Sequence, residues 1–157
     1  MLLPELLLSR NYRNGFTLVE ILIAIAAIGL LFMLALPVYE NHQAHSHIEQ
    51  ATKDIRLISI TVTQYELANN KLPNDLSVIG MNSMQDPWGM PYQYAIHGLA
   101  LPKQSRKDKN LRPINNDYDL YSRGKDNKST SALFEEFSHD DIVRANNGKW
   151  IGIADTY

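Results

Sequence analysis

The chain has 157 residues, a formal net charge of −2 and no cysteine. This near balance of acidic and basic residues does not favour a general nucleic-acid binder, which carries a clear excess of positive charge. Because no disulfide can form, stability must come from packing or from a bound metal. The length allows one small domain beyond an N-terminal segment.

The first element in chain order is an apolar segment of membrane length. Residues 16–36 number 21, and no polar side chain occurs from residue 21 to residue 36. As a helix, this segment would be about 30 Å long, which matches the hydrocarbon core of a bilayer. Arg10 and Arg13 precede the segment, and positive charge before a span predicts a cytoplasmic N-terminus. We therefore expect a single membrane anchor.

One acidic residue, Glu20, lies near the start of the apolar segment. A carboxylate in such a segment costs about 3 kcal/mol on insertion scales, so it needs a partner and a functional reason. A local explanation is a capping box, because Thr17 and Glu20 have the spacing that begins a helix. A charged partner on another molecule is a second explanation, and the two are compatible.

The helix is predicted to continue past Pro37, where a kink is expected. Apolar residues then recur at alternating spacings of four and three, which indicates one stripe of an amphipathic helix. The stripe consists of Ala44, Ile48, Ala51, Ile55, Ile58, Val62 and Tyr65. We expect the helix to end near Asn69 and Asn70, before Pro73, and its stripe to pack on another layer.

The remainder is predicted to form a small antiparallel sheet. Short strands are expected at residues 92–97, 119–122 and 149–154. Residues 86–91 are rich in turn formers. Residues 103–112 contain five basic side chains and are expected to be an exposed loop. The predicted fold class is therefore α+β, with a long N-terminal helix packed on a small antiparallel sheet and a C-terminal loop.

The sequence GFTLVE at residues 15–20, with the apolar run behind it, resembles the N-terminus of type IV pilins and of the pseudopilins of type II secretion. Pro37 and Tyr39 extend this resemblance. It implies that a prepilin peptidase cuts between Gly15 and Phe16 and then methylates the new N-terminus at Phe16. It also implies a structural role for the acid of the motif in assembly.

The same resemblance implies three parts of the chain: a leader at 1–15, a transmembrane and assembly helix at 16–37, and a periplasmic domain at 38–157. The anchor would lie in the bacterial inner membrane. Cleavage would create an α-amine, and that amine on a neighbouring subunit could pair with Glu20 in lipid. Such a pair would fix the axial register as subunits stack.

The C-terminal half resembles a narrower group, the major pseudopilins of type II secretion, or protein G type. The segments that carry this resemblance are DPWGMPY at 86–92, YDLYSRGKD at 118–126 and the acidic pair with isoleucine at 140–142. The type IV pilin-like fold is implied by both resemblances.

The resemblance to this group implies one calcium ion in the C-terminal loop. By position, the side chains of Asp126, Asp140 and Asp141 would be ligands, and the carbonyls of Arg123 and Ser138 would complete the shell. Calcium binds six to eight oxygens, so a mixture of carboxylates and carbonyls suits it. The segment between the acids is longer here than in that group. The alternative is a solvated acidic loop.

The implied function is a structural subunit of a type II secretion pseudopilus that drives protein export. Its implied partners are other copies of the chain, minor pseudopilins, the prepilin peptidase and the inner-membrane assembly platform. One alternative is a minor pilin of a type IV pilus in adhesion, motility or DNA uptake, for which the basic loop at 103–112 would suit DNA. Another is a binding module that is merely tethered. No GxSxG, HExxH or phosphate-binding motif occurs, and we expect no enzyme activity.

Two further features have structural alternatives. His42 and His45 lie one helical turn apart near His47 and could bind a metal, but a hydrated helix face is the simpler interpretation. Trp88 could be a binding aromatic, and packing within its turn is the simpler interpretation.

Overall fold

The computed structural model describes residues 15–97 and 105–157. The chain forms two units, and the boundary between them falls between Asn41 and His42, within helix α1 (Leu18–Asn69). Residues 1–14, which include the two leader arginines, lie outside the described residues. Lys103 of the predicted basic loop also lies outside them.

Helix α1 begins and ends where the sequence predicts. Thr17 immediately precedes its first residue, and its last residue, Asn69, donates a side-chain hydrogen bond of 2.9 Å to the carbonyl of Tyr65. Asn70 follows with φ of 52°, a left-handed conformation that ends a helix and that asparagine tolerates. The helix is uninterrupted at position 37, and the expected kink there stays a prediction.

The part of α1 in the first unit is apolar and exposed. Within the described residues, α1 is the one helix long and apolar enough to cross a membrane, with an 18-residue window of mean hydropathy 2.8 and none of that window buried. Large side chains such as Leu18, Ile23 and Met33 are between 64% and 76% exposed. An apolar surface of this extent indicates a segment made to be covered by lipid or by protein.

The second unit contains a four-stranded antiparallel sheet with strand order β1-β2-β3-β4. The strands are β1 (Gln93–Ile96), β2 (Tyr118–Ser122), β3 (Ile142–Ala145) and β4 (Trp150–Ile153). Facing residues across the three pairings include Gln93 and Tyr121, Ser122 and Ile142, and Ala145 and Trp150. Short 3₁₀ helices occur at Leu76–Ile79, Glu136–Ser138, Asn146–Gly148 and Ala154–Thr156.

The three predicted strands are confirmed to within a residue or two at each end, but β3 was not predicted. The sequence analysis treated its first residue, Ile142, as part of an acidic loop motif. All four residues of β3 are buried. A strand buried on both faces lacks the alternation of polar and apolar residues that identifies a half-exposed strand, and Arg144 interrupts its apolar run.

One face of the sheet packs on the predicted stripe of α1. The centre of the stripe is fully buried at Ala51, Ile55, Ile58 and Val62, and these side chains belong to one core cluster with Tyr118, Leu120 and Ile142. The stripe weakens at its ends, because Ala44 is exposed and Tyr65 is half-buried. The prediction that the stripe supports the sheet is confirmed.

The opposite face of the sheet is also covered. Successive residues of a strand point to opposite faces, so Val143 and Ala145 lie on the face away from Ile142 and α1. There they join a second core cluster with Ile114, Leu133 and Ala154. We call the segments that cover this face, residues 105–116 and 123–141, the outer layer.

The prediction that residues 103–112 form an exposed loop is wrong for the start of the outer layer. Ser105 is 9% exposed and Arg106 is 2% exposed, whereas residues 109–112 are exposed as expected. The cause is local pairing: the amide of Lys107 donates to the carbonyl of Ser131, and the amide of Leu133 donates to the carbonyl of Lys107. These bonds hold the segment against its neighbours.

Candidate functional site

The N-terminal motif forms a complete capping box. The amide and hydroxyl of Thr17 each donate to Glu20 Oε2 at 2.9 Å, and the amide of Glu20 donates to Thr17 Oγ1 at 3.2 Å. These bonds satisfy donors that the first turn of a helix leaves free. All the hydrogen bonds to the carboxylate use Oε2, so Glu20 Oε1 accepts none within the part of the chain that the structure describes.

The predicted cleavage site lies before the helix. Gly15 and Phe16 are outside α1, and Phe16 is 84% exposed. Among the described residues, no atom would lie within 4 Å of a Cβ at Gly15. The bond between these residues is therefore in an open, non-helical segment. Cleavage, methylation and the assembly role of Glu20 stay predictions.

The DPWG segment is a turn that closes around one buried carboxylate. Asp86 is 4% exposed, and its Oδ1 accepts hydrogen bonds from the amides of Trp88 at 3.1 Å and Met90 at 2.8 Å. The Asp86 amide donates to the carbonyl of Met90, and the amide of Gly89, at φ of 84°, donates to the carbonyl of Asp86. The aspartate, proline and glycine of this motif thus serve the geometry of the turn.

Asp86 also joins the two C-terminal motifs. Its Oδ2 accepts a hydrogen bond from the hydroxyl of Ser122, at the end of β2. The same hydroxyl accepts from the amide of Gly124 at 3.1 Å. The sequence analysis found both motifs but missed this contact, because a partner 36 residues away leaves no spacing signal; an aspartate that begins a turn indicates only the local bonds.

Two aromatic residues hold this turn against α1. Tyr92 donates a hydrogen bond of 2.9 Å to Asp54 Oδ2. Burial of the phenol is the larger cause that raises the pKa of Tyr92 above its ordinary value, and this hydrogen bond is the smaller one. Trp88 packs partly buried on the core and meets His47 edge to face, with 5.8 Å between ring centres. Packing is therefore the role of Trp88 in the structure.

The other two histidines of the predicted cluster lie on a hydrated face. His42 and His45 are exposed, and His45 Nε2 lies 3.2 Å from Glu49 Oε1 on the next turn. Glu49 also lies 3.6 Å from Lys53 Nζ. Surface pairs of this kind contribute little to stability.

The predicted calcium ligands come together only in part. The amide of Asp126 donates to Asp140 Oδ2 at 3.0 Å, so the two ends of the loop meet. Gly124 packs on the same place, because a Cβ there would lie 2.3 Å from the carbonyl oxygen of Asp140. However, the Asp126 carboxylate is exposed and accepts from the amide of Lys128, and the carbonyl of Ser138 accepts from the amide of Asp141.

The remaining predicted ligand, Asp141, is fully buried and already has a cation. The guanidinium of Arg106 donates to Asp141 Oδ2, and the hydroxyl of Ser129 donates to the same oxygen. Burial raises the pKa of Asp141 to about 6, while Arg106 and Ser129 act to lower it. Sequence analysis missed Arg106, because a partner 35 residues away leaves no spacing signal.

The donor set therefore does not fit a calcium ion well. In residues 15–97 and 105–157, no group of three or more histidine, aspartate or glutamate side chains is arranged to hold a metal. Calcium needs six to eight oxygens, whereas here one carboxylate is exposed and another is paired with Arg106. The calcium site, with the carbonyl of Arg123 as a further ligand, stays a prediction.

A second ion pair holds the sheet from the α1 side. Arg144 on β3 donates from two nitrogens to the two carboxylate oxygens of Asp117, at 2.9 Å and 2.7 Å, and its guanidinium carbon lies 3.9 Å from the centre of the Tyr118 ring. Burial acts to raise the pKa of Asp117, but hydrogen bonds from Arg144 and from the Tyr118 amide outweigh it. The pKa of Asp117 therefore lies below its ordinary value.

Comparison with known proteins agrees with these motifs. The family described as the prokaryotic N-terminal methylation motif matches residues 10–36. The type II secretion system core protein G of Pseudomonas aeruginosa is 26% identical over 144 residues, which cover 77% of this chain and 89% of that protein. The chain is similar to pseudopilins and type IV pilins. As that similarity implies, it has one long N-terminal helix with an apolar first part, and the second part of this helix packs on a small antiparallel sheet.

Other relatives match shorter parts. Core protein G of Aeromonas hydrophila is 25% identical over 55% of this chain and 75% of its own length. The type IV major pilin protein PilE1 of Neisseria gonorrhoeae is 34% identical over 71 residues, which is 45% of this chain and 43% of that pilin. The chain thus matches less than half the length of this pilin. No solved structure matches the chain significantly.

Proposed function

We propose that this chain is a pseudopilin, a structural subunit of the periplasmic fibre of a type II secretion system. The observation that carries the proposal is the similarity to protein G, which extends over 77% of the chain and therefore well beyond the N-terminal helix. The DPWG and YDLYSRG motifs support it, because they carry the resemblance to the major pseudopilins and a hydrogen bond from Ser122 to Asp86 joins them.

In this proposal the chain is anchored in the inner membrane by the apolar part of α1, with its N-terminus in the cytoplasm. A prepilin peptidase cuts between Gly15 and Phe16 and methylates Phe16. The apolar helices then leave the lipid and bundle at the centre of the fibre. The subunits add at an assembly platform in the inner membrane, with minor pseudopilins as further partners.

Glu20 sets the register of the fibre in this proposal. The capping box uses only Oε2 of its carboxylate, so Oε1 can accept a hydrogen bond from the Phe16 amine of a neighbouring subunit. The cap and the charge pair are therefore compatible in one residue. In an apolar surrounding, the pair avoids the cost of an unpaired carboxylate.

An assembly experiment with Glu20 variants distinguishes the capping role of this residue from the role of its negative charge. The full chain is co-expressed with a prepilin peptidase and the assembly platform, and each variant is scored for cleavage by mass spectrometry and for fibres by cross-linking. Glu20→Gln keeps a capping box, since glutamine serves at that position, but removes the charge. Glu20→Val removes both. Glu40→Val, at an exposed site on α1, is the matched control.

We expect all three variants to be cleaved between Gly15 and Phe16. Glu20→Gln and Glu20→Val should both lose most cross-linked fibre, while Glu40→Val keeps it. If Glu20→Gln assembles like the wild type, the charge pair is not the basis of register. If the wild type itself gives no cross-linked oligomer and Glu20→Val leaves the function of the chain intact, a merely tethered binding module becomes the better interpretation.

The alternative function is a minor pilin of a type IV pilus. The observation that favours it is the higher identity to PilE1, 34%, although that match covers only 45% of the chain. The basic loop lends it less support than the sequence suggested, because Arg106 is buried and unavailable to DNA. Deletion of the chain distinguishes the two: loss of protein secretion supports the pseudopilin, and loss of twitching or DNA uptake with secretion intact contradicts it.

A further inference from the structure

We propose that the guanidinium of Arg106 takes the place of a metal ion in this chain and holds the outer layer together without calcium. The group lies among oxygens of the kind that calcium binds. It donates to the carboxylate of Asp141, to the hydroxyl of Ser129 and to the carbonyl of Thr130. One side chain thus joins its own segment to residues 129–130 and to Asp141, which lie between 23 and 35 residues further along the chain.

Two hydrogen bonds hold the backbone of Arg106 in place, with its side chain against Asp141. Its amide donates to Asp119 Oδ2 at 2.7 Å, and its carbonyl accepts from the amide of Ile114 at 3.0 Å. Asp119 lies on the face of β2 that points away from α1, next to Tyr121. The ring of Tyr121 lies 4.3 Å from the guanidinium carbon of Arg106, which adds a cation–π contact.

The segment that accepts the hydrogen bonds of Arg106, residues 129–130, is itself held by hydrogen bonds. The hydroxyl of Ser138 accepts from the amide of Thr130 at 3.0 Å, so that a residue predicted as a metal ligand instead positions the oxygens around Arg106. Ser129 contacts both the guanidinium and the carboxylate of Asp141. These contacts give the arginine a prepared site rather than a chance surface pairing.

The balance of charge favours the arginine over a divalent ion. Asp141 is 0% exposed and needs a cation, whereas Asp126 is exposed and Asp140 is half-buried. One guanidinium neutralises Asp141, which is the only one of the three predicted carboxylate ligands that is fully buried. A divalent ion on the same carboxylate would lie close to the positive guanidinium in a medium of low dielectric, where repulsion is strong.

One carboxylate oxygen of Asp141 accepts no hydrogen bond among the described residues. Asp141 Oδ1 and Arg106 Nε are buried without a hydrogen-bond partner among the described residues. The experiment therefore measures calcium directly as well as the arginine. The inference does not depend on the proposed function, because thermal unfolding reports on the loop whether or not the chain enters a fibre.

The full chain is unfolded by heat in detergent micelles, with millimolar calcium or with a chelator in excess. The wild-type melting temperature should be the same in both, and calorimetric titration should detect no stoichiometric calcium binding. Either a rise of several degrees with calcium or stoichiometric binding overturns the proposal. This comparison needs no variant, so it decides the matter even if a substitution prevents folding.

The second measurement tests the arginine. Arg106→Met keeps the length of the side chain and leaves Asp141 without a cation, so the melting temperature should fall by about 10 °C or more. Arg56→Met, at an exposed site on α1, is the matched control and should change little. Equal effects of the two substitutions overturn the proposal.

A double variant separates the pair from simple packing. If the ion pair is the cause, then Arg106→Met combined with Asp141→Leu should melt higher than Arg106→Met alone, because no buried charge is left unpaired. If the two substitutions lower the melting temperature additively, then the pair does not act as a unit, and the proposal fails.

Discussion

Asp86→Ala is expected to destabilise the second unit by about 3 kcal/mol. The hydrogen bond from the hydroxyl of Ser122 is buried, and a bond of that kind to a charged acceptor contributes about 2 kcal/mol. The amides of Trp88 and Met90 are only part-buried donors that water can satisfy, so each adds about 0.5 kcal/mol. These contributions together correspond to a fall in melting temperature of roughly 10 °C.

A second aspartate offers a matched control. Asp75 accepts hydrogen bonds from the amide and the hydroxyl of Ser77 in an exposed turn, so it resembles Asp86 in local pattern, but among the described residues its carboxylate accepts no hydrogen bond from a distant segment. The full chain would be unfolded with urea in detergent, with the fluorescence of its two tryptophans as the signal. If Asp75→Ala costs as much stability as Asp86→Ala, then the contact between the two motifs is not what matters.

Two further predictions concern the sheet. Ile55→Ala should cost about 3 kcal/mol in urea unfolding, because Ile55 is fully buried, whereas Ile60→Ala at a half-exposed site on the same helix should cost far less. Equal costs would contradict the proposed packing face. Asp117, whose pKa is lowered in the folded state, contributes stability that is present above its unfolded pKa of about 3.9 and is lost as the pH falls through the folded pKa. Asp117→Asn should therefore flatten the loss of stability below about pH 4, and an unchanged pH profile would exclude the Arg144 pairing as its cause.

Helix α1 could be predicted because its signals are local. The alternating spacing of apolar residues identified the side chains that are buried, including Ile55 and Val62, and the asparagines marked the end of the helix. The capping box was likewise a pattern of neighbours in sequence. The hydrogen bonds of the Glu20 carboxylate lie within one chain and could be predicted, whereas the proposed role of Glu20 depends on contacts between chains, which a single chain does not contain.

The outer layer could not be predicted because its determinants are distant in sequence. Arg106 lies in a stretch of basic residues, and local composition alone assigns such a stretch to solvent. Its burial depends on Asp119 behind it and on Asp141 at a separation of 35 residues. Strand β3 was not predicted for a different reason: a strand covered on both faces lacks the alternation of polar and apolar residues that identifies a strand.

The long separation within the Arg106–Asp141 pair also bears on the order of folding. Strands β3 and β4 are joined by a short connection, so their pairing closes only a small loop, whereas the pair between Arg106 and Asp141 closes a loop of 35 residues. The hairpin of β3 and β4 should therefore form before the outer layer closes, and the outer layer should be the first place at which a protease can cut a chain that has not finished folding.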